Sequence, residues 1–189
     1  MGNKIRLTDN WEFLRQDVGN IWELVRPIKK GQPEEQPIWT KVTLPHCFNA
    51  EDAVDPDLNY YQGPGWYKTR LKLDNPYPDG RVVLEFEGAG QKTDVYVYMT
   101  KVGSHVGGYD SWNVDITDAV RAFLASKEAE RFGGEIPLSI RCDNTRDAEM
   151  IPSVFIGLQF VWRHLPLSES GVSSGSLRGF SPDRTGIGR

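Results

Sequence analysis

Short runs of alternating apolar and polar residues recur along this chain, and they constrain its fold more than any other feature. A period of two predicts strands with one buried face, because successive side chains of a strand point to opposite sides. Segments rich in Pro and Gly separate the runs, which is typical of all-β chains. The clearest runs cover residues 39–44, 66–73, 81–86, 93–98, 101–105 and 136–142.

One helix is predicted between these strands, over residues 118–131. Val120, Phe123 and Leu124 recur there at helical spacing. Asp115 or Thr117 can cap its first turn, and the Gly133-Gly134 pair ends it. We therefore expect an all-β fold, an antiparallel β-sandwich with one short helix. The predicted core consists of Trp11, Phe13, Trp39, Tyr67, Leu84, Phe86, Val95, Val97, Leu138 and Ile140.

Composition excludes several classes of function. The chain has 189 residues, enough for one domain, and a net charge of -4, so it offers no basic field for nucleic acid or an anionic membrane. No apolar run is long enough to span a bilayer, and the N-terminus lacks a signal-peptide pattern. We expect a soluble protein, cytoplasmic as written, or periplasmic or secreted if a signal was removed.

The cysteines and histidines suggest no metal or cofactor. Cys47 and Cys142 could form one disulfide, but two thiols are favoured. Three histidines without CxxC or HxxxH spacing predict no structural zinc site. We expect no cofactor.

Two loops rich in aromatic residues and glycine are candidates for ligand contact. In residues 60–67 and in residues 106–112, rings could stack on sugar faces. The alternative at both places is a tight turn whose rings fill the core, and we favour that alternative. Residues 88–90 do not form a phosphate loop, because they join two strands and no GxGxxG follows.

Catalytic pairs are weak in this sequence. Glu85 and Glu87 share one strand face, and Asp55 and Asp57 flank a proline, which are common surface arrangements. His46 and Cys47 are neighbours in an extended segment, so their side chains diverge and form no nucleophilic dyad. His105, at the end of a strand, is interpreted as a hydrogen-bonded structural residue.

The polar end of the last predicted strand is the candidate carbohydrate-binding group. Asp143, Asn144 and Arg146 lie there, where side chains that can bond sugar hydroxyls are well placed. A capped turn with an Asp–Arg pair explains the same residues equally well.

Several segments, taken together, resemble a known family. They occur in the family's order, and the resemblance covers about residues 5–153. The chain resembles the N-terminal sugar-binding domain of glycoside hydrolase family 2, the β-galactosidase and β-glucuronidase family. The segments are residues 10–13, 39–46, 65–68, 84–88, 91–97, 102–109, 115–117 and 143–144.

The resemblance implies a jelly-roll sandwich like that of galactose-binding domains. The parent would be a β-galactosidase-like retaining glycosidase whose two catalytic glutamates lie in a downstream barrel. We therefore expect residues 1–153 to form this domain and the chain alone to be inactive. Its partners would be a carbohydrate, bound weakly or not at all, and the missing barrel, with no nucleic acid or membrane. A stand-alone carbohydrate-binding module and a purely structural sandwich remain alternatives.

Residues 154–189 change character, with Glu169 and Asp183 as their acidic residues and no lysine. The family carries a motif like Asp-Phe-Asn-x-Tyr-Gly-Gly-Ile-Tyr-Arg at this place, and the chain as written lacks it. Codons for residues 154–172 can be chosen that, read one base later, encode Asp-Phe-Asn-Leu-Tyr-Gly-Gly-Ile-Tyr-Arg. We expect residues 154–189 to be an out-of-frame, irregular and poorly packed tail; the alternatives are a flexible linker or a genuine divergent end.

Overall fold

The computed structural model describes residues 3–27, 37–47, 49–52, 54–55, 57, 59–73, 79–145 and 157–165. Eleven strands and three short helices lie in these parts of the chain. The strands are β1 (Asn3–Arg6), β2 (Trp11–Leu14), β3 (Thr40–Val42), β4 (His46–Cys47), β5 (Pro64–Leu71), β6 (Arg81–Gly88), β7 (Lys92–Val97), β8 (Thr100–Val106), β9 (Trp112–Asp115), β10 (Ile136–Asp143) and β11 (Gly157–Leu165). The helices are α1 (Trp22–Val25), α2 (Thr117–Leu124) and α3 (Glu128–Arg131).

The strands form two antiparallel sheets. The six-stranded sheet has the order β3-β2-β5-β10-β7-β8, and the five-stranded sheet has the order β1-β11-β6-β9 with β4 also paired to β11. Strand β10 pairs with β5 on one side and with β7 on the other. The predicted all-β sandwich is confirmed, and the predicted strand positions match β3, β5, β6, β7, β8 and β10 closely.

The core lies between the two sheets. Alternation along each strand directs its apolar side chains to this layer, where Leu84, Phe86 and Ile140 are fully buried. The predicted core residues are all buried except Trp39. That prediction is wrong because Trp39 precedes the edge strand β3, where its half-buried ring instead contacts the Lys68 ammonium, 3.9 Å from the ring centroid.

The outer face of the six-stranded sheet is partly covered as well. Residues 15–27, here called the strap, cross this face and carry α1. Trp66 and Ser139 point to this side yet are only 3% exposed. The strap is held by a hydrogen bond from the indole of Trp66 to the Asp17 carboxylate (2.9 Å) and by one from Arg131 to the Val25 carbonyl (2.6 Å).

The single predicted helix over residues 118–131 is two helices. Helix α2 ends at Leu124 and α3 starts at Glu128. The Ser126 hydroxyl donates to the Phe123 carbonyl (2.6 Å), and this side-chain bond competes with the continuing helix. The predicted end is confirmed: Gly133 and Gly134 have φ of +63° and +77°, a region that glycine enters without strain.

The N-cap of α2 is Ile116, which makes no side-chain capping bond, so neither predicted residue is the N-cap, although Asp115 and Thr117 both make hydrogen bonds at this end. The Asp115 carboxylate accepts hydrogen bonds from the Thr117 amide (3.0 Å) and the Thr117 hydroxyl (2.5 Å). The Thr117 hydroxyl oxygen in turn accepts from the Val82 amide (2.9 Å), which ties the helix to β6.

The expectation of an irregular segment after residue 153 does not hold at residues 157–165. There the backbone forms β11, which pairs with β1, β4 and β6. Strand pairing uses backbone amides and carbonyls that almost any sequence supplies, and β1 and β6 both face this position. The rest of the expected tail lies outside the described residues.

The two cysteines are free thiols, as favoured from the sequence. Cys142 is buried, which raises the pKa of its thiol to about 12, and Cys47 is half-buried. Among the described residues, no helix is long and apolar enough to cross a membrane.

Candidate functional site at the loop end of the sandwich

One end of the sandwich gathers most of the polar residues singled out in the sequence. There β2, β6, β8 and β10 finish and β5, β7 and β9 begin, so we call it the loop end. In the six-stranded sheet, Asp143 pairs with Pro64 and Lys92, and Lys92 pairs with Val106. The topology therefore brings the end of β10 beside both aromatic and glycine loops.

Asn144 organises the loops at this end. Its side chain is 5% exposed, and its amide nitrogen donates to the Asn49 side-chain oxygen and the Tyr61 carbonyl, both at 2.9 Å. Its side-chain oxygen accepts from the Gly63 amide at 2.7 Å. Both amide hydrogens of the predicted sugar ligand Asn144 are thus used within the protein, where they fix the loops.

A buried carboxylate extends this network. Asp52 has a side chain that is 4% exposed, and it accepts hydrogen bonds from the Asn49 side chain (2.9 Å) and the Tyr61 amide (3.1 Å). The Arg15 guanidinium pairs with the same carboxylate and lies 4.8 Å from the centroid of the Tyr61 ring. A buried carboxylate needs such compensation, since its desolvation is costly.

A second charged group lies beside the first. The Arg141 guanidinium is 3.1 Å from carboxylate oxygens of both Asp17 and Asp143. Burial alone would raise the pKa of Asp17, but hydrogen bonds from Arg141 and Trp66 outweigh it, so the pKa lies below its ordinary value. The same two carboxylates raise the pKa of Arg141 against the opposing effect of burial. The strap is therefore joined to β10 by charge as well as by packing.

Of the two predicted sugar ligands that the structure describes, Asp143 is the more exposed, with 15% of its side chain accessible. Its Oδ1 accepts from the Thr145 amide (2.9 Å) and hydroxyl (2.6 Å), and its Oδ2 accepts from Arg141 (3.1 Å). Burial opposes ionisation, but these bonds dominate and lower the pKa of Asp143. An ionised carboxylate with one engaged donor on Oδ2 can still accept a ligand hydroxyl. The third predicted ligand, Arg146, lies outside the described residues.

The loop end also exposes aromatic rings. Tyr109 is 67% exposed and Tyr60 is 39% exposed. Burial raises the pKa of Tyr60, with smaller contributions from nearby Cys47 and Tyr109. In the loop that carries Tyr109, the Gly107 amide donates a hydrogen bond to the Gln91 carbonyl (2.7 Å), which joins this loop to the start of β7. Tyr67 is buried in the core and Trp112 is partly buried against it, as the structural alternative predicts, whereas Tyr60 and Tyr109 are exposed.

His46 and Cys47 belong to the structure of this region and form no dyad. The His46 Nδ1 lies 2.9 Å from the Tyr67 hydroxyl, and the imidazole packs 4.9 Å from the Phe13 ring. His105 stacks on Trp112 (4.7 Å between centroids) and pairs with Asp110 at 3.0 Å. Both histidines thus have structural partners.

The strand carboxylates Glu85 and Glu87 also have structural partners. Glu85 pairs with Lys4 at 3.4 Å, and Glu87 pairs with Arg6, across the position of β11. Within the part of the chain that the structure describes, no group of three or more His, Cys, Asp or Glu residues could hold a metal ion. Glu85 and Glu87 therefore form surface ion pairs, an arrangement that does not suit the two carboxyl groups of a hydrolytic site.

Sequence reasoning missed Arg15, Asp17, Asn49 and Asp52. They come from the strap and from the loop after β4, far from Asp143 along the chain. Their residue types are common in surface loops, so no local pattern marks them. A buried Asp within a loop is recognisable once the tertiary structure is known.

Comparison with known proteins gives a consistent result. Residues 16–127 match the family described as "Glycosyl hydrolases family 2, sugar binding domain". The β-glucuronidase of Bacteroides fragilis is 29% identical over 114 residues, which cover 60% of this chain and 15% of that protein.

Solved structures agree with this. The crystal structure of Parabacteroides merdae β-glucuronidase has a TM-score of 0.83 and 69% identity, covering 87% of this chain and 22% of that one. The apo structure of Bacteroides uniformis β-glucuronidase 3 has a TM-score of 0.82 and 61% identity, with the same coverage. This chain thus spans about a fifth of the length of these structures. The match over 16–127 and the shared sandwich show that this chain belongs to glycosyl hydrolase family 2, as that family's sugar-binding domain.

Proposed function

We propose that this chain is the N-terminal domain of a family 2 β-glucuronidase. The supporting observation is the 69% identity to the Parabacteroides merdae β-glucuronidase over 87% of this chain. The sequence resemblance favoured a β-galactosidase-like parent. The proposal is shifted towards β-glucuronidase, because two solved structures that are 69% and 61% identical to this chain carry that name.

In this proposal the parent cleaves terminal β-glycosidic bonds. Retaining enzymes use two carboxyl groups about 5–5.5 Å apart, one as nucleophile and one as acid and base. The catalytic pair would come from a barrel outside this chain. Glu85 and Glu87 do not suit that role, because each is paired with a cation of β1.

The loop end would contribute contacts to the sugar. Asp143 accepts hydroxyl donors best when ionised, and its lowered pKa keeps it so at neutral pH. Arg146 would add a donor for a sugar carboxylate or hydroxyl. Asn144 would act indirectly, by holding residues 61–63 and 49 in place.

The test of this proposal uses a reading frame that continues these residues into a barrel. We expect the purified enzyme to have a higher kcat/KM for nitrophenyl β-glucuronide than for the β-galactoside. The reverse preference would contradict the proposal. In that enzyme, Asp143→Asn should raise KM for the glucuronide, while Asp94→Asn, on the neighbouring strand and paired with Lys101, should leave KM unchanged.

A stand-alone carbohydrate-binding module is the second candidate function. The exposed rings of Tyr60 and Tyr109 favour it, because such rings can stack on sugars. Titration of this chain with galactose and with glucuronate, followed by NMR, separates it from the other candidates. Saturable shifts at the loop end would support a binding module. Their absence would support a domain that needs the barrel, or a purely structural sandwich.

A further inference from the structure

A groove of about 760 Å³ lies on the outer face of the six-stranded sheet, away from the loop-end cluster. The strap contributes Leu24 and Val25 to the lining, and Phe132, after α3, contributes an aromatic ring. The floor comes from β2, β5 and β10. This volume is within the range of about 300–1,000 Å³ that is usual for ligand sites.

The floor of the groove carries a polar row across four adjacent strands. Lys41 pairs with Glu12, Glu12 pairs with Lys68, and Lys68 pairs with Ser139 in the strand register. The Lys68 ammonium lies 3.3 Å from the Glu12 carboxylate. Ser139 is only 3% exposed, so the accessible part of the row is Lys41, Glu12 and Lys68. These three residues lie on neighbouring strands about 4.8 Å apart, a spacing close to that of hydroxyls on a sugar chain.

Two half-buried aromatic rings lie near this row, Phe132 in the lining and Trp39 outside it. The Lys68 ammonium lies over the Trp39 ring, and the Arg70 and Arg131 guanidinium groups lie 5.3 Å and 4.7 Å from the centroid of the Phe132 ring. Arg70 is also 3.9 Å from Glu135. Because cations cover these rings, the hydrogen-bonding row, and not ring stacking, is what suits the groove to the hydroxyls of a sugar chain.

The lining has no net charge. The cations Lys41, Lys68 and Arg70 are balanced by Asp9, Glu12 and Glu135. A balanced lining does not attract a polyanion, but it offers many oriented donors and acceptors.

We propose that this groove binds a neutral oligosaccharide, as a second carbohydrate site in addition to the loop end. This inference does not depend on which glycosidase the domain belongs to.

The experiment titrates the full chain with cellotetraose, xylotetraose and β-1,4-galactotetraose, and with tetragalacturonate as the acidic counterpart. We expect saturable NMR shifts at the amides of Glu12, Lys68 and Ser139 for at least one neutral probe. Lys68→Met removes the ammonium and keeps the stem, and it should weaken binding about tenfold, as expected for the loss of one charge-assisted hydrogen bond. Lys41→Met tests the same row at an exposed position.

The matched control is Lys101→Met, on the same face of the same sheet but outside the groove, where Lys101 pairs with Asp94 at 2.7 Å. It should leave the affinity unchanged. Circular dichroism melts of each variant separate loss of folding from loss of binding. The inference is overturned if no neutral probe binds up to its solubility limit, if tetragalacturonate binds tightest, if the shifts fall at Asp143 and Tyr109, or if both folded groove variants bind like wild type.

Discussion

His46 makes the stability of this domain depend on pH. Burial lowers the pKa of its imidazole below the ordinary value of 6.5. Because the unfolded chain takes up a proton near 6.5 and the folded chain does not, the free energy of unfolding decreases as pH falls from about 6.5 through the folded pKa. At higher pH both states are neutral and this contribution is complete.

Replacing His46 by Gln should remove this dependence. We expect wild type to lose stability relative to His46→Gln as the pH is lowered from 7.5 to 5.5. Urea denaturation at a series of pH values measures the free energy of unfolding of both proteins. The contributions of the other titrating groups cancel in the difference between wild type and His46→Gln. His105→Gln, which retains His46, should follow wild type. Parallel curves for wild type and His46→Gln would contradict the prediction.

Asn144 supports the loop end through three hydrogen bonds from one buried side chain. Asn144→Ala would leave the Gly63 amide and the Asn49 side-chain oxygen without this partner. Leaving buried polar groups unsatisfied costs about 1–3 kcal/mol, so a loss of that size is expected. The exposed Asn113→Ala on β9 is the control and should change the free energy of unfolding by less than about 0.5 kcal/mol. Equal melting temperatures for the two variants would argue against a structural role for Asn144.

At the scale of the element, β5 is covered on both faces, and this changes what its tryptophan contributes. Tyr67 packs in the core, whereas Trp66 faces outward and is covered by the strap. Trp39, before edge strand β3, has no comparable cover and stays half-buried. Trp66 and Trp39 are therefore expected to contribute differently to the free energy of unfolding.

We expect Trp66→Ala to cost about 3–5 kcal/mol, the usual range for a buried large aromatic side chain. Trp39→Ala should cost clearly less, because the ring is partly exposed and its contact with Lys68 contributes about 0.5–1 kcal/mol at an exposed site. Denaturant unfolding of both variants gives the two values. A cost for Trp39→Ala equal to that of Trp66→Ala would show that the Trp39 ring is buried in solution.

At the scale of the whole molecule, the prediction concerns hydrolysis by this chain alone. We expect the purified 189-residue chain to release no nitrophenol from β-galactoside or β-glucuronide substrates. Glu85 and Glu87 are paired with cations of β1, and Asp143 is paired with Arg141, so these carboxylates do not suit the two roles that retaining hydrolysis requires. Turnover that persists after rigorous removal of the host β-galactosidase would contradict this.

The other prediction at this scale concerns the reading frame that encodes residues 154–189. We propose that this stretch is translated out of frame, which would replace the family's Asp-Phe-Asn-x-Tyr-Gly-Gly-Ile-Tyr-Arg motif. The pairing of β11 does not distinguish the two frames, because strand hydrogen bonds use the backbone. Sequencing the source DNA decides the matter: a frame after Ser153 that cannot encode Tyr-Gly-Gly-Ile-Tyr-Arg would disprove the proposal.

By itself the sequence predicted six of the eleven described strands and the sandwich, because alternation is a local property that already separates core from surface, and the order of its segments indicated the family. Tyr67, Leu84 and Ile140 could be placed in the core for that reason. Tertiary structure alone decided the cover over Trp66 and the partners of Asn144. Those features depend on contacts among residues 15–17, 49–52, 61–66 and 141–144, which are distant in sequence and meet only when the two sheets pack. A polar residue in a loop has the same local pattern whether it faces solvent or a buried amide, so only the folded chain could assign its role.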